Sequence, residues 1–197
     1  MENVTDRTSN PFGMRIPGGA VYGYGDVNAD FHVVGDGPLC HGGLTTGVPF
    51  TDSVAGVRLQ RVLAAVGLAA EPYAERPRLS NAYLSYLHPT VDASAVAGDP
   101  ERFLDAELRA INAHILLVVG DRPLEYALRE HTSRWNDLPH DASALHATEV
   151  RGRGFLVVPV ADPDEWTASD ERTLTETLSR LLDSDYRQTK GVATTVG

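Results

Sequence analysis

Asp36, His41 and Phe50 stand in one glycine-rich stretch, Asp30 to Phe50, which reads DFHVVGDGPLCHGGLTTGVPF. A carboxylate, an imidazole and an aromatic ring can between them hold a water or a cation, pass a proton and stack on a planar ligand. Glycines at 35, 37, 42, 43 and 47, with Pro38 and Pro49, let the chain turn tightly around those side chains. Upstream, Phe31, Val33 and Val34 make a short apolar run, so the stretch reads as a buried strand opening into a loop. Ligands of an open parallel sheet bind outside the carboxyl ends of its strands, which makes this loop the candidate site. Each residue also has a plainer reading: Asp36 caps the turn, Phe50 is core or a staple for the next helix, and His41 closes the glycine loop. Neither the dinucleotide spacing of glycines nor the GKS or GKT ending of a phosphate loop is present.

The elements that must position the loop follow from periodicity. Thr51 to Ser53 offers capping side chains, and Ala55, Leu59, Val62, Leu63 and Val66 then recur at helical spacing until Gly67. Ala20 to Tyr24 reads as a short edge strand, Phe31 to Val34 as a central one, and Leu79 to Leu87 as another, closed by His88-Pro89. Asp99-Pro100 starts a helix to about residue 112, and Ile115 to Val119 is a branched run of the kind buried on both faces. Gly120-Asp121 leads into a further helix, and 131–141 reads as loop. Ala144 to Val150 and Phe155 to Val160 read as two short strands, or as one strand after an extended connection. Thr167 to Asp170 forms a capping-box start for a last helix carrying Leu174, Leu178, Leu181 and Leu182. This alternation predicts a three-layer α/β/α sandwich around a central, mostly parallel sheet. Residues 1–20 read as an arm, 21–184 as one domain and 185–197 as an exposed tail.

At 197 residues and 42% hydrophobic the chain supports one well-buried core. It has no apolar run long enough to span a membrane, and its start is polar, so the expectation is a soluble, cytoplasmic protein without membrane contact. Cys40 is its only cysteine, which leaves no internal disulfide and no multi-cysteine metal or iron-sulfur site. A formal charge of -10 argues against indiscriminate nucleic-acid binding, while Arg151 with Arg153, and Arg187 with Lys190, leave room for a local basic strip. Abundant carboxylates with a single lysine also fit a protein that works at high salt.

Two runs, Gly35-Asp36-Gly37-Pro38-Leu39-Cys40-His41-Gly42-Gly43 and Gly47-Val48-Pro49-Phe50-Thr51, resemble the first motif of the uracil-DNA glycosylase superfamily. The likeness is closest to its families four and five, of archaeal type. GYGDVNADF at 23–31, LSNAYLSYLHP at 79–89 and ILLVVGDRPLEYAL at 115–128 are similar to later parts of those proteins, so the resemblance runs from about residue 20 to 182. It implies DNA as partner and hydrolysis of the N-glycosidic bond of uracil or another deaminated base. By position Asp36 would orient water or offset the oxocarbenium charge. Phe50 would stack on the extruded base, Asn81 would read its amide edge, and the backbone around Gly35, Gly37 and Pro38 would hold a carbonyl oxygen.

Two departures accompany the likeness. Families four and five typically hold a four-iron, four-sulfur cluster on four cysteines; with Cys40 alone, no cofactor and no metal is expected. The late motif, in which a histidine donates to the base, falls at Val160-Ala161-Asp162-Pro163, with Asp162 in the histidine's place as the second catalytic candidate. An ionised Asp there repels a developing anion, and His146, Arg151 and Arg153 are the candidates to compensate; these three and His41, as a donor to phosphate, are the candidates for DNA contact. The alternative functions are a catalytically degenerate member that binds nucleic acid or nucleotide, and a small-molecule hydrolase using Asp36 and His41.

Overall fold

The computed structural model describes residues 7–92, 96 and 98–187. In chain order its elements are β1 Tyr24–Gly25, β2 Phe31–Gly35, α1 Pro38–His41, α2 Val54–Ala65, β3 Ala82–Tyr86 and α3 Arg102–Ile111. They continue with β4 Ile115–Val119, α4 Asp121–His131, β5 Val150–Arg151, β6 Leu156–Val160 and α5 Ala168–Asp183, with a 3-10 turn at Pro163–Glu165 before α5. The six strands form one sheet in the order β1-β3-β2-β4-β6-β5. Its four central strands are parallel, and the two-residue strands β1 and β5 close the edges antiparallel. Short edges of this kind leave little unpaired backbone to template another chain.

The layers follow from alternation along the strands. Ile115, Leu117 and Val119 of β4 join Leu59, Leu63, Leu174 and Leu178 of α2 and α5 in one core cluster. Leu116 and Val118 join Leu104, Leu108, Leu124 and Leu128 of α3 and α4 in the other. With helices burying both faces, β4 is fully buried, as its unbroken apolar run predicts. The three-layer α/β/α sandwich is therefore the observed architecture. Local signals hold at the helix ends: Ser53 Oγ accepts from Gly56 N–H, and Thr167 with Asp170 forms a complete capping box.

The register defines two functionally different ends. Phe31 aligns with Ala82 and Ile115, and Ile115 with Leu156, which sets the amino end of the parallel strands. Gly35 aligns with Tyr86, and Val119 with Val160, at the carboxyl end.

Two readings of the chain need correction. Ala144 to Val150 is mostly turn rather than strand, with Ala147 in the left-handed region at φ 57. Its apolar residues Ala147 and Val150 are buried, which accounts for the strand-like pattern. The tail does not begin at Asp185 as exposed chain, because Tyr186 packs edge-on against Phe31 at 5.3 Å and its hydroxyl donates to Asp30 at 3.0 Å. Lys190 and the rest of the tail lie outside the described residues. Of the arm, Ser9 bridges to Tyr24 and Ala20 to Thr90, so residues 7–20 run against the outer strands. Among the described residues no helix is long and apolar enough to cross a membrane.

Candidate active site

Four parallel strands deliver their next residues to one end of the sheet: Asp36 after β2, His88 beyond β3, Arg122 at the start of α4 after β4, and Asp162 after β6. Asp36 is the hub. His88 Nδ1 lies 3.3 Å from Asp36 Oδ1, and Arg122 Nη1 donates to Asp36 Oδ2 at 3.1 Å. Arg122 Nη2 is also 3.3 Å from His88 Nδ1, which closes a triangle, and Cys40 Sγ approaches Asp36 Oδ2 at 3.6 Å. Burial alone pushes the Asp36 carboxyl upward. The His88 hydrogen bond, the Arg122 charge and the His88 charge outweigh it and hold the group below the usual carboxylate range. Asp36 is thus an ionised, half-buried carboxylate at neutral pH. Cys40 responds in the opposite sense, its thiol pushed up by burial and by Asp36, so it is not an activated nucleophile.

Behind Asp36 the loop folds back on itself. Pro38 sets the first turn of α1, whose last residue, His41, carries its ring beneath Asp36, and Asp36 N–H donates to His41 Nδ1 at 3.2 Å. The ring stacks on Phe50 with centroids 5.2 Å apart and planes 22° from parallel, and Tyr86 lies against both. Gly35 makes this packing possible, since a Cβ there would fall 2.6 Å from both His41 Nδ1 and Phe50 Cζ. Phe50 and Asp52 adopt left-handed φ values of 56 and 48, a conformation unfavourable for such residues. Specific partners hold them there. Phe50 N–H donates to Tyr86 Oη and Gln60 Nε2 donates to Phe50 O, while the Asp52 carboxylate accepts from Gly43 and Thr45 N–H.

Asp162 closes the opposite side, its Oδ2 3.7 Å from His41 Nε2. His41 chiefly holds its carboxyl below the usual range against burial, with help from the Asp164 N–H that Asp162 caps. The separation is too long for a hydrogen bond and leaves the carboxylate facing the edge of the ring.

Several sequence-derived candidates fall elsewhere. Phe50 is 0% exposed and covered by His41, so it presents no open face to a base in this conformation. Asn81 precedes β3 rather than ending it. It sits at the amino end, where its Oδ1 accepts from Asp30 N–H at 2.7 Å, a strand's length from Asp36. His146 has both ring nitrogens engaged, Nδ1 accepting from Ala161 N–H and Nε2 facing Asp170 O, so it staples β6 to α5 and is no free donor. Arg151 pairs in register with Leu156, at the amino end, and Arg153 lies just beyond it. Arg187 is tied to Asp30 at that same end. Gly35, Gly37, Pro38 and His41 do gather around Asp36, and Gly37 O accepts from Cys40 and His41 N–H.

Sequence reasoning missed His88, Arg122 and Tyr86. The signal that could have found them is positional: each stands at, or one to three residues past, the carboxyl end of a strand that reads as parallel. It also missed a cleft that holds two arginines, Arg58, whose Nη1 donates to Pro163 O and Trp166 O, and Arg61, which faces Glu171. That open cleft, of about 690 Å³ beside the loop, is lined by Asp52, Ser53, Val57, Arg58, Arg61 and Tyr73.

A parallel α/β/α sheet with a carboxylate-bearing glycine loop at its carboxyl end defines a class of ligand-binding α/β proteins. Within that class, residues 22–181 match the uracil DNA glycosylase superfamily, and the chain belongs to that superfamily. A search among curated proteins finds no match. The chain's only thiol, Cys40, does not fit the four-thiolate cluster of families four and five.

Proposed function

We propose that this chain is a DNA glycosylase that removes uracil or another deaminated base from DNA, in the cytoplasm, with Asp36 as the carboxylate acting on the sugar side. One observation carries the reading: Asp36 is half-buried yet kept ionised by His88 and Arg122, in the loop that leaves the central strand of a uracil-DNA-glycosylase-like sheet. As the N-glycosidic bond breaks, its electron pair leaves with the base and the sugar carbon becomes cationic. A fixed carboxylate beside that carbon offsets the charge and holds the water that completes hydrolysis, accepting its proton as the new C–O bond forms, while the base anion takes a proton from solvent. Arg122, 61% exposed, is placed to exchange part of its contact with Asp36 for a phosphate of bound DNA. On a chain of net charge -10, binding then depends on a few local cations at this end, Arg122 with Arg58 and Arg61, rather than on Arg151 and Arg153. Asp162, being ionised, is no donor to the departing base, and its role in this reading is to face His41. No step uses a metal or cofactor.

The test is incubation with single- and double-stranded DNA containing uracil, hypoxanthine or xanthine, at low and at high salt, followed by alkaline cleavage. Abasic product from at least one substrate is the expected outcome, and none under either condition refutes the reading. A second reading has one observation in its favour: Phe50 lies wholly buried beneath His41. That fits a degenerate member that binds nucleic acid or nucleotide without cleaving it, and it predicts DNA retention in a binding assay with no abasic product.

A further inference from the structure

Among the described residues, two buried side-chain nitrogens have no hydrogen-bond partner: His32 Nδ1 and His41 Nε2. They differ in what they lack. His32 is in the middle of β2, its Nε2 bonded to Ser85 Oγ at 2.7 Å and its ring edge-on to Tyr83, sealed within the sheet packing. His41 is at the carboxyl end, and Asp36 N–H already donates to its Nδ1. The neutral ring therefore carries its proton on Nε2, and this N–H is a donor without an acceptor. Native structures rarely bury an unpaired donor, and one that lies at a ligand-binding strand end beside charged groups is placed to meet a ligand's acceptor. The group facing it is the Asp162 carboxylate, at 3.7 Å, on a side chain 40% exposed.

We propose that His41 Nε2–H is the donor that receives the carbonyl oxygen of an extruded nucleobase, and that the Asp162 carboxylate stands in for that oxygen while the site is empty. This rests on the reading of the site as a nucleobase site, and requires binding of a base rather than its release. An anionic carboxylate oxygen resembles the oxygen of a departing base, on which negative charge collects as the glycosidic bond breaks. To make way, Asp162 gives up its attraction to His41 and a local bond to Asp164 N–H. The donor itself is fixed before any ligand arrives. Asp36 N–H holds Nδ1, Phe50 backs the ring, Tyr86 lies alongside, and Gly35 leaves the space that the ring fills. Preorganised donors of this kind stabilise developing charge most effectively, because nothing need reorient during the reaction. Phe50 thereby acquires a role, as the support of the histidine that meets the base rather than as the base's own floor.

The test uses wild-type protein with ¹⁵N-labelled histidine, titrated with free uracil and with uracil-containing single-stranded DNA, beside His41→Phe, which keeps a ring on Phe50 and deletes the donor. The expected results are a shift of the His41 Nε2–H resonance on adding uracil and a loss of about tenfold or more in uracil affinity in H41F. Base release should fall by about a hundredfold while DNA affinity stays within about twofold. An unmoved resonance in the wild type overturns the proposal whatever H41F does, so the outcome does not depend on the variant's folding. Full base release by H41F overturns it and leaves the glycosylase reading standing. A shifted resonance in a wild type that releases no base supports the donor and refutes the glycosylase reading.

Discussion

The two ends of the parallel sheet handle charge in opposite ways. At the amino end both carboxylate oxygens and the N–H of Asp30 have partners: His114 at 2.8 Å, Tyr186 at 3.0 Å and Arg187 at 2.7 Å for the oxygens, and Asn81 for the N–H. Burial pushes the Asp30 carboxyl up, and the Arg187 and Tyr186 hydrogen bonds with the Arg187 and His114 charges bring it below its usual range. At the carboxyl end Asp36 and Asp162 are also ionised, yet beside them is a histidine whose donor is unmet. Asp30 ties α5's trailing residues back to the first central strand, a closed network whose purpose is cohesion. The other end also partners Asp36, but it keeps the Asp162 carboxylate and the His41 donor 3.7 Å apart, close together without a hydrogen bond. The difference is what separates structural polarity from a site, and net charge or residue type alone does not reveal it.

Substitutions that disturb one end and spare the other are the way to break this comparison. Apart from loss of the Asp36 carboxylate itself, the largest expected effect is for Gly35→Ala. Its Cβ would lie 2.6 Å from His41 Nδ1 and Phe50 Cζ, so His41 is displaced, the fold loses about 1–3 kcal/mol and base release falls by more than about a hundredfold. Denaturant melts with single-turnover release would check both. At the other end Asn81→Ala removes the acceptor of Asp30 N–H at a left-handed position, φ 58, and should destabilise by about 2 kcal/mol. Base preference should not change; altered selectivity in N81A would place Asn81 back in the pocket.

A smaller effect separates two buried groups in the amino half by their pH dependence. Glu107, bonded to Tyr83 Oη at 2.9 Å, is pushed up by burial from 4.5 to about 7, and His32 is pushed down by burial from 6.5 to about 3. For Glu107 the unfolded chain holds fewer protons between those values, so its contribution to stability is full below pH 4.5 and is lost as pH rises through about 7. For His32 the contribution is present above pH 6.5 and is lost as pH falls toward about 3. The two oppose each other between pH 4.5 and 6.5. Glu107→Gln should therefore unmask a stability that climbs with pH across that window, read from urea midpoints; an unchanged profile would mean that Glu107 does not titrate as described. The smallest effect is for the double change R151Q/R153Q, which should leave the salt dependence of DNA binding unaltered and stability within about 0.5 kcal/mol.

Much of the fold was legible because the relevant forces are local or periodic. The β4 run, the Ser53 and Thr167 caps and the amphipathic α5 all declare themselves within a few residues. Asp36 was legible as well, since the glycine loop after β2 marks a strand end. What the sequence hid was register. The run from Leu79 puts Asn81 inside a strand, and the actual start at Ala82 leaves it ahead of that strand, at the amino end of the sheet. His146 and Arg151 follow the same rule, in that the chain direction of β5 and the hydrogen bonds of His146 set their fate. His88 and Arg122 come within reach of Asp36 through pairing across β2, β3 and β4, a contact between distant segments that no spacing encodes. The Tyr186 and Arg187 clamp likewise depends on a partner more than 150 residues away, Asp30.

The most direct test compares one carboxylate from each end in the same assay: single-turnover release of uracil from DNA by wild type, Asp36→Asn and Asp30→Asn, normalised to folded protein. The central claim, that the ionised Asp36 carboxylate does the chemistry, predicts a fall of about a thousandfold for D36N. D30N should run within about twofold of wild type despite lower stability. Release by D36N at the wild-type rate, or an equal loss in D30N, would contradict it.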